Sequence, residues 1–172
     1  MSVDNTRKWK LTNERLTDNF HLFEFIHWAN QMINMSRSDK RLANELAKKH
    51  FTYNHYVQYK GMAHYLQGLR DRLNKDYNNR YSIIVTCGYR PFEWETYRGR
   101  IGSSQHTNCA VDIVVYDRIL KKRDYKLTLQ LYKELKEDFN GGLAVRYLDK
   151  KRKDDGALFL HIDFGPEARW TY

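Results

Sequence analysis

Leu158-Phe159-Leu160-His161-Ile162-Asp163-Phe164 is a seven-residue apolar run interrupted twice by a polar side chain, at positions two residues apart. A strand turns successive side chains to opposite faces, so His161 and Asp163 share one face, and Leu160 and Ile162 share the other. A second run, Ala110-Val111-Asp112-Ile113-Val114-Val115-Tyr116, has the same character and carries one carboxylate. Tyr81-Ser82-Ile83-Ile84-Val85-Thr86 is short and rich in β-branched residues, and Leu143-Ala144-Val145-Arg146-Tyr147 completes a set of four expected strands.

Outward from these strands the periodicity changes. Val57, Met62, Tyr65, Leu66, Leu69 and Leu73 recur at spacings of three and four, which predicts a long amphipathic helix from about Tyr53 to Asn74. Leu42, Leu46 and Ala47 predict a helix before it, with Ser36-Arg37-Ser38-Asp39 as its cap. Leu22 to Ala29 reads as a short buried helix. Pro91 suits a helix start with Glu93 and Glu95 near its positive end. Leu127, Leu131 and Leu135 predict a helix over 125–139, closed by Asn140-Gly141-Gly142. Helices that mostly precede strands predict an α+β fold: a small, mostly antiparallel sheet with N-terminal helices packed on one side. The chain, at 172 residues, is expected to be a single domain over 1–172, with 1–79 a mainly helical lead-in and 80–172 the sheet.

Composition narrows the class. Aromatics at 15% support a packed globule, and two Pro with nine Gly advertise no long linker. No stretch approaches the roughly 20 apolar residues of a membrane span. The polar opening Met1-Ser2-Val3-Asp4-Asn5-Thr6 lacks the apolar core of a secretory signal, so delivery to any site outside the cytoplasm is expected to rely on something else. The net charge of +9 favours proximity to polyanions such as nucleic acid, anionic lipid or a bacterial wall. Its runs, Lys121-Lys122-Arg123 and Lys150-Lys151-Arg152-Lys153, are short, and no nucleic-acid motif surrounds them. Cys87 and Cys109 make no disulfide framework and read as one core thiol and one loop thiol.

Asp112, His161 and Asp163 interrupt strands that should bury apolar groups. A buried unpaired carboxylate is expensive, so that face is open or the carboxylates have partners. His106 lies six residues before Asp112, on a loop entering the strand. Two imidazoles and one carboxylate are the donor set of a catalytic zinc site, which leaves a fourth position for water. His21, His27, His50, His55 and His64 need no special role.

Val85-Thr86-Cys87-Gly88-Tyr89-Arg90, Ser104-Gln105-His106, Ala110-Val111-Asp112-Ile113 and Phe159-Leu160-His161-Ile162-Asp163 together resemble the M15 metallopeptidase family, the zinc peptidases of D-Ala-D-Ala carboxypeptidase type. Leu16-Thr17-Asp18-Asn19-Phe20-His21-Leu22-Phe23-Glu24-Phe25 resembles the family's lead-in. The resemblance implies that His106, Asp112 and His161 bind Zn2+, that Arg90 grips the substrate carboxylate or polarises the scissile carbonyl, and that Ser104 holds substrate or orders its loop. Asp163 would accept a hydrogen bond from a ligand imidazole and fix its tautomer.

The sequence departs from the family at two points. The segment from His106 to Asp112 is one residue shorter, with Asn108 where a Gly would align; Asn tolerates the left-handed turn a Gly would make. Cys109 is a soft donor nearby, but at three residues from Asp112 it should face the opposite way. Leu158 stands where many relatives carry a catalytic Glu, so Asp155, with Asp154 as alternate, becomes the expected proton carrier; the related hedgehog domain has a Glu at a comparable offset. The implied function is hydrolysis of peptidoglycan stem peptides, as a carboxypeptidase or an endopeptidase, by a phage-encoded endolysin or virion component acting at the cell wall. The alternative is a structural or binding protein that keeps the fold without turnover.

Overall fold

The computed structural model describes residues 11–32, 34–100 and 105–172. The polar opening and Ser104 therefore lie outside the described residues. Helix α1 (Leu22–Ile26) runs into a short 3-10 turn, Trp28–Gln31. Helix α2 (Arg37–His50) starts at Ser36, whose hydroxyl accepts the Asp39 amide at 3.1 Å. Helix α3 (Tyr53–Asn74) matches the expected span, and α4 (Phe92–Tyr97) starts after Pro91. Helix α5 (Tyr125–Asp138) is capped by Asp124, which accepts the Leu127 amide at 2.9 Å.

The four expected strands are present: β1 (Tyr81–Cys87), β2 (Ala110–Asp117), β4 (Gly142–Tyr147) and β5 (Ala157–Asp163). Two more join them, which corrects the count to six. The two-residue β3 (Lys122–Arg123) pairs with β2, and β6 (Ala168–Thr171) runs parallel to β4. Lys122-Arg123 carries no apolar residue, and Ala168–Thr171 is only four residues long. The sheet order is β1-β2-β5-β4-β6, and every pairing but the last is antiparallel.

Alternation then sorts the two faces. Val111, Ile113, Leu160, Ile162, Leu143 and Val145 are fully buried in one cluster with Phe25, Tyr59 and Leu66 of the helices and Leu131 of α5. Burying each such side chain contributes roughly 1.5–3 kcal/mol. The fold is the α+β arrangement expected, a mostly antiparallel sheet with helices packed on one side. The other face carries Asp112, His161 and Ala144, which are cross-strand partners on β2, β5 and β4, with Trp170 of β6 beside Ala144. A smaller cluster of Trp28, Ala29, Ala43, Cys87 and Trp94 closes the end of β1.

Candidate metal centre

The pairing of β2 with β5 sets Asp112 directly opposite His161, so two residues 49 apart in sequence share one point on the sheet. His161 Nδ1 lies 2.8 Å from Asp112 Oδ1, and its Nε2 lies 3.2 Å from Asp163 Oδ2. Asp163 is held in turn by the Gly165 amide, which donates to Oδ1 at 2.7 Å. Gly142 faces this carboxylate across the β4–β5 pair; a Cβ there would lie 2.0 Å from Asp163 Oδ2, so only glycine leaves room for it.

His106 arrives from the other side. Its short approach to β2 makes a single 3-10 turn, Gln105–Thr107, and places His106 Nε2 3.3 Å from the same Asp112 Oδ1. The shortened segment thus still delivers the imidazole. It does so without the left-handed turn expected at Asn108, which is not among the described residues with positive φ. His106 Nδ1 sits 2.8 Å from the Gly88 carbonyl, which can only accept, so Nδ1 carries the proton. Gly88 is itself pinned: the Phe25 carbonyl lies 2.1 Å from where a Cβ would be, and the Tyr89 amide donates to that carbonyl at 2.8 Å.

The electrostatics follow from burial and these contacts. Burial lowers the pKa of His106 against the pull of Asp112. Burial alone would raise Asp112, yet His106 and His161 hold it well below the usual carboxylate range. Burial also opposes charge on His161, but its bonds to Asp112 and Asp163 outweigh that and raise its pKa. His106 Nε2 therefore stands 3.3 Å from an ionised carboxylate. That distance is also one at which two ligands can hold a cation between them. Tetrahedral ligands bonded at about 2.1 Å stand roughly 3.4 Å apart, close to this spacing.

A third donor is one the sequence reading missed. The register of β1 against β2 slips between Val85 and Cys87, so Thr86 and Cys87 together oppose the Asp112 step. This bulge re-aims Cys87. Its sulfur, a His106 ring nitrogen and an Asp112 oxygen all lie within 4.8 Å of one another, a group that could hold a metal ion. The thiol is buried in the small cluster with Trp28 and Trp94, and burial pushes its pKa far up. Cys109, by contrast, packs in the main core with Tyr59 and Val111 and faces away, as alternation predicts.

Arg90 lines a cleft of about 390 Å³ in front of Asp112, walled by Trp28 and Trp94. Its amide donates to the His106 carbonyl at 3.0 Å, and its Nε pairs with the buried Glu95 at 3.1 Å, which fixes the guanidinium beside the metal donors. Asp155 is not brought there. It pairs with Arg152 at 3.1 Å in a turn packed against α5, while Asp154 pairs with Lys133 of α5 at 2.9 Å. The extended chain from there to His161 rises about 3.3 Å per residue, which carries Asp155 away from the cleft and corrects its expected place.

An α+β sheet with a buried His–Asp–His–Asp string on its second face, and a Cys–His–Asp donor group at the strand ends, defines a candidate metal-binding protein with a cleft over the possible metal donors. Comparison with known proteins finds no matching family model, no matching characterised protein and no matching solved structure. No helix among the described residues is long and apolar enough to cross a membrane.

Proposed function

We propose that the chain is a zinc-dependent peptidase that hydrolyses amide bonds in peptidoglycan stem peptides. One observation carries the metal: a His106 ring nitrogen, an Asp112 carboxylate oxygen and the Cys87 sulfur lie within 4.8 Å of one another in a buried site. The donors are those zinc takes, imidazole and carboxylate; His161, whose Nδ1 lies 2.8 Å from the same Asp112 oxygen, would give up that contact to become the third protein ligand. When bound, zinc would polarise the scissile carbonyl and acidify water. Asp163 would then hold the remaining proton of His161 on Nε2, fixing the tautomer that leaves Nδ1 for the metal. Arg90 would take the substrate's carboxylate or steady its carbonyl oxygen, held in place by Glu95. Trp28 and Trp94 would keep bulk water from the reacting bond. The resemblance to wall-degrading zinc peptidases supplies the substrate class and the setting, a phage endolysin or virion component; the net charge of +9 suits an anionic wall.

A second reading, metal binding without turnover, is favoured by one specific observation: Asp112 is the only carboxylate lining the cleft among the described residues, so no acidic side chain stands ready to carry the proton. Metal analysis of the purified protein combined with digestion of purified peptidoglycan separates the two. The peptidase reading expects one zinc per chain and release of new amino termini, with both lost in His106→Ala. One zinc per chain with an undigested wall would establish the second reading.

A further inference from the structure

Among the described residues the cleft over the metal donors is lined by four guanidinium groups, Arg90, Arg98, Arg100 and Arg146, against one side-chain carboxylate, that of Asp112. Asp112 is already engaged by His106 and His161. Arg90 and Arg100 share one buried acid, Glu95, at 3.1 and 3.5 Å. Arg98 reaches Asp39 only at 3.8 Å. Arg146 is exposed and has no acidic side chain within 4.0 Å among the described residues. The cleft therefore holds positive charge in excess of what its own acids neutralise.

The position of Arg146 gives that excess a geometry. Ala144 stands level with His161 and Asp112 across the sheet, and Arg146 is two residues further along β4 on the same face, opposite Phe159. Two strand residues span about 7 Å, which is also the span of two residues of an extended peptide. We propose that the cleft selects peptides carrying two anionic groups, one at the metal level beside Arg90 and a second carboxylate about two residues away at Arg146 and Arg100. A guanidinium fork matches a carboxylate in shape and charge, and the aromatic walls at Phe159 and Tyr172 lower the local dielectric around it.

This selectivity rests on the peptidase reading for the role of the cleft, but its test does not require turnover. Calorimetric titration of chelator-treated protein compares N-acetyl-alanyl-D-alanyl-D-alanine, with one carboxylate, and N-acetyl-glutamyl-D-alanyl-D-alanine, with two. The second should bind about tenfold tighter at low salt, an increment of ~1.4 kcal/mol, and lose most of that advantage as salt is raised. Arg146→Gln should cut the preference to within about twofold and leave the monocarboxylate unchanged, and Arg146→Lys should restore part of it. Equal binding of the two peptides, binding of neither, or an Arg146→Gln variant that weakens both alike would overturn the proposal. A preserved preference in a protein that cleaves nothing when zinc-loaded would instead sink the peptidase reading alone.

Discussion

At the scale of single residues, Cys87 decides which kind of metal site the candidate centre could be. The bulge in β1 brings its sulfur within 4.8 Å of the His106 and Asp112 donors. A sulfur ligand added to His106, Asp112 and His161 would close the coordination sphere, and closed spheres are structural. A catalytic site needs that position open, so the peptidase reading expects Cys87 to stay off the metal. The cobalt-substituted protein should therefore lack a thiolate-to-metal charge-transfer band, and Cys87→Ser should hold metal within about twofold of wild type. A sulfur band that disappears in Cys87→Ser would reverse this and favour binding without turnover. Alternation in the sequence did not reveal Cys87, because a bulge changes which way a side chain points without altering the run of apolar residues that marks the strand. The pairing of Asp112 with His161 was legible for the opposite reason: polar residues inside β-branched runs have to be answered by a partner.

At the scale of elements, the register of β4 on β5 determines whether Asp163 can orient His161. Gly142 sits opposite Asp163, and a methyl group there would meet its carboxylate at 2.0 Å. Gly142→Ala should swing Asp163 off the His161 ring and weaken metal affinity by about 10–100-fold, while overpacking costs roughly 1–3 kcal/mol of stability. Competition with a chromogenic chelator and urea denaturation measure the two separately. Unchanged affinity would show that Asp163 does not orient the imidazole. The helices α2, α3 and α5 and the four main strands could be read from periodicity and caps alone. The edge strands could not: β3 is two basic residues long, and β6 is only four residues long. Asp155 was misplaced for a related reason. Its offset in sequence from His161 resembles that of a catalytic acid, but the intervening residues are extended strand, and the 3-10 turn that carries it packs on α5.

At the scale of the whole molecule, the far end of the β1–β2 pair is fastened by a different charge cluster. Asp117 accepts two hydrogen bonds from Arg80, at 2.6 and 3.0 Å, and two from the amides of Ile119 and Leu120. The bond from Arg80, joined by those amides, holds its carboxyl below the usual range. A depressed folded-state pKa contributes stability above the unfolded-state value of about 3.9 and loses it as pH falls through the folded value. Wild type should thus exceed Asp117→Asn in stability at neutral pH, with a gap that starts to close below about pH 4. A gap of constant size from neutral pH into acid would show that the carboxyl's ionisation is not what fastens this end.

The seat of Gly88 under the Phe25 carbonyl has a practical consequence for dissecting the protein. A fragment beginning at β1 would inherit every donor atom yet lose the peptide group against which the Gly88 backbone rests, and Gly88 is what presents its carbonyl to His106. It would also lose the Trp28 indole, which donates to the Tyr89 carbonyl at 2.8 Å one residue on. Shortening the gene to its sheet-forming half would therefore leave the ligands written in the chain but the first imidazole without a fixed bearing, and the two halves are best expressed together.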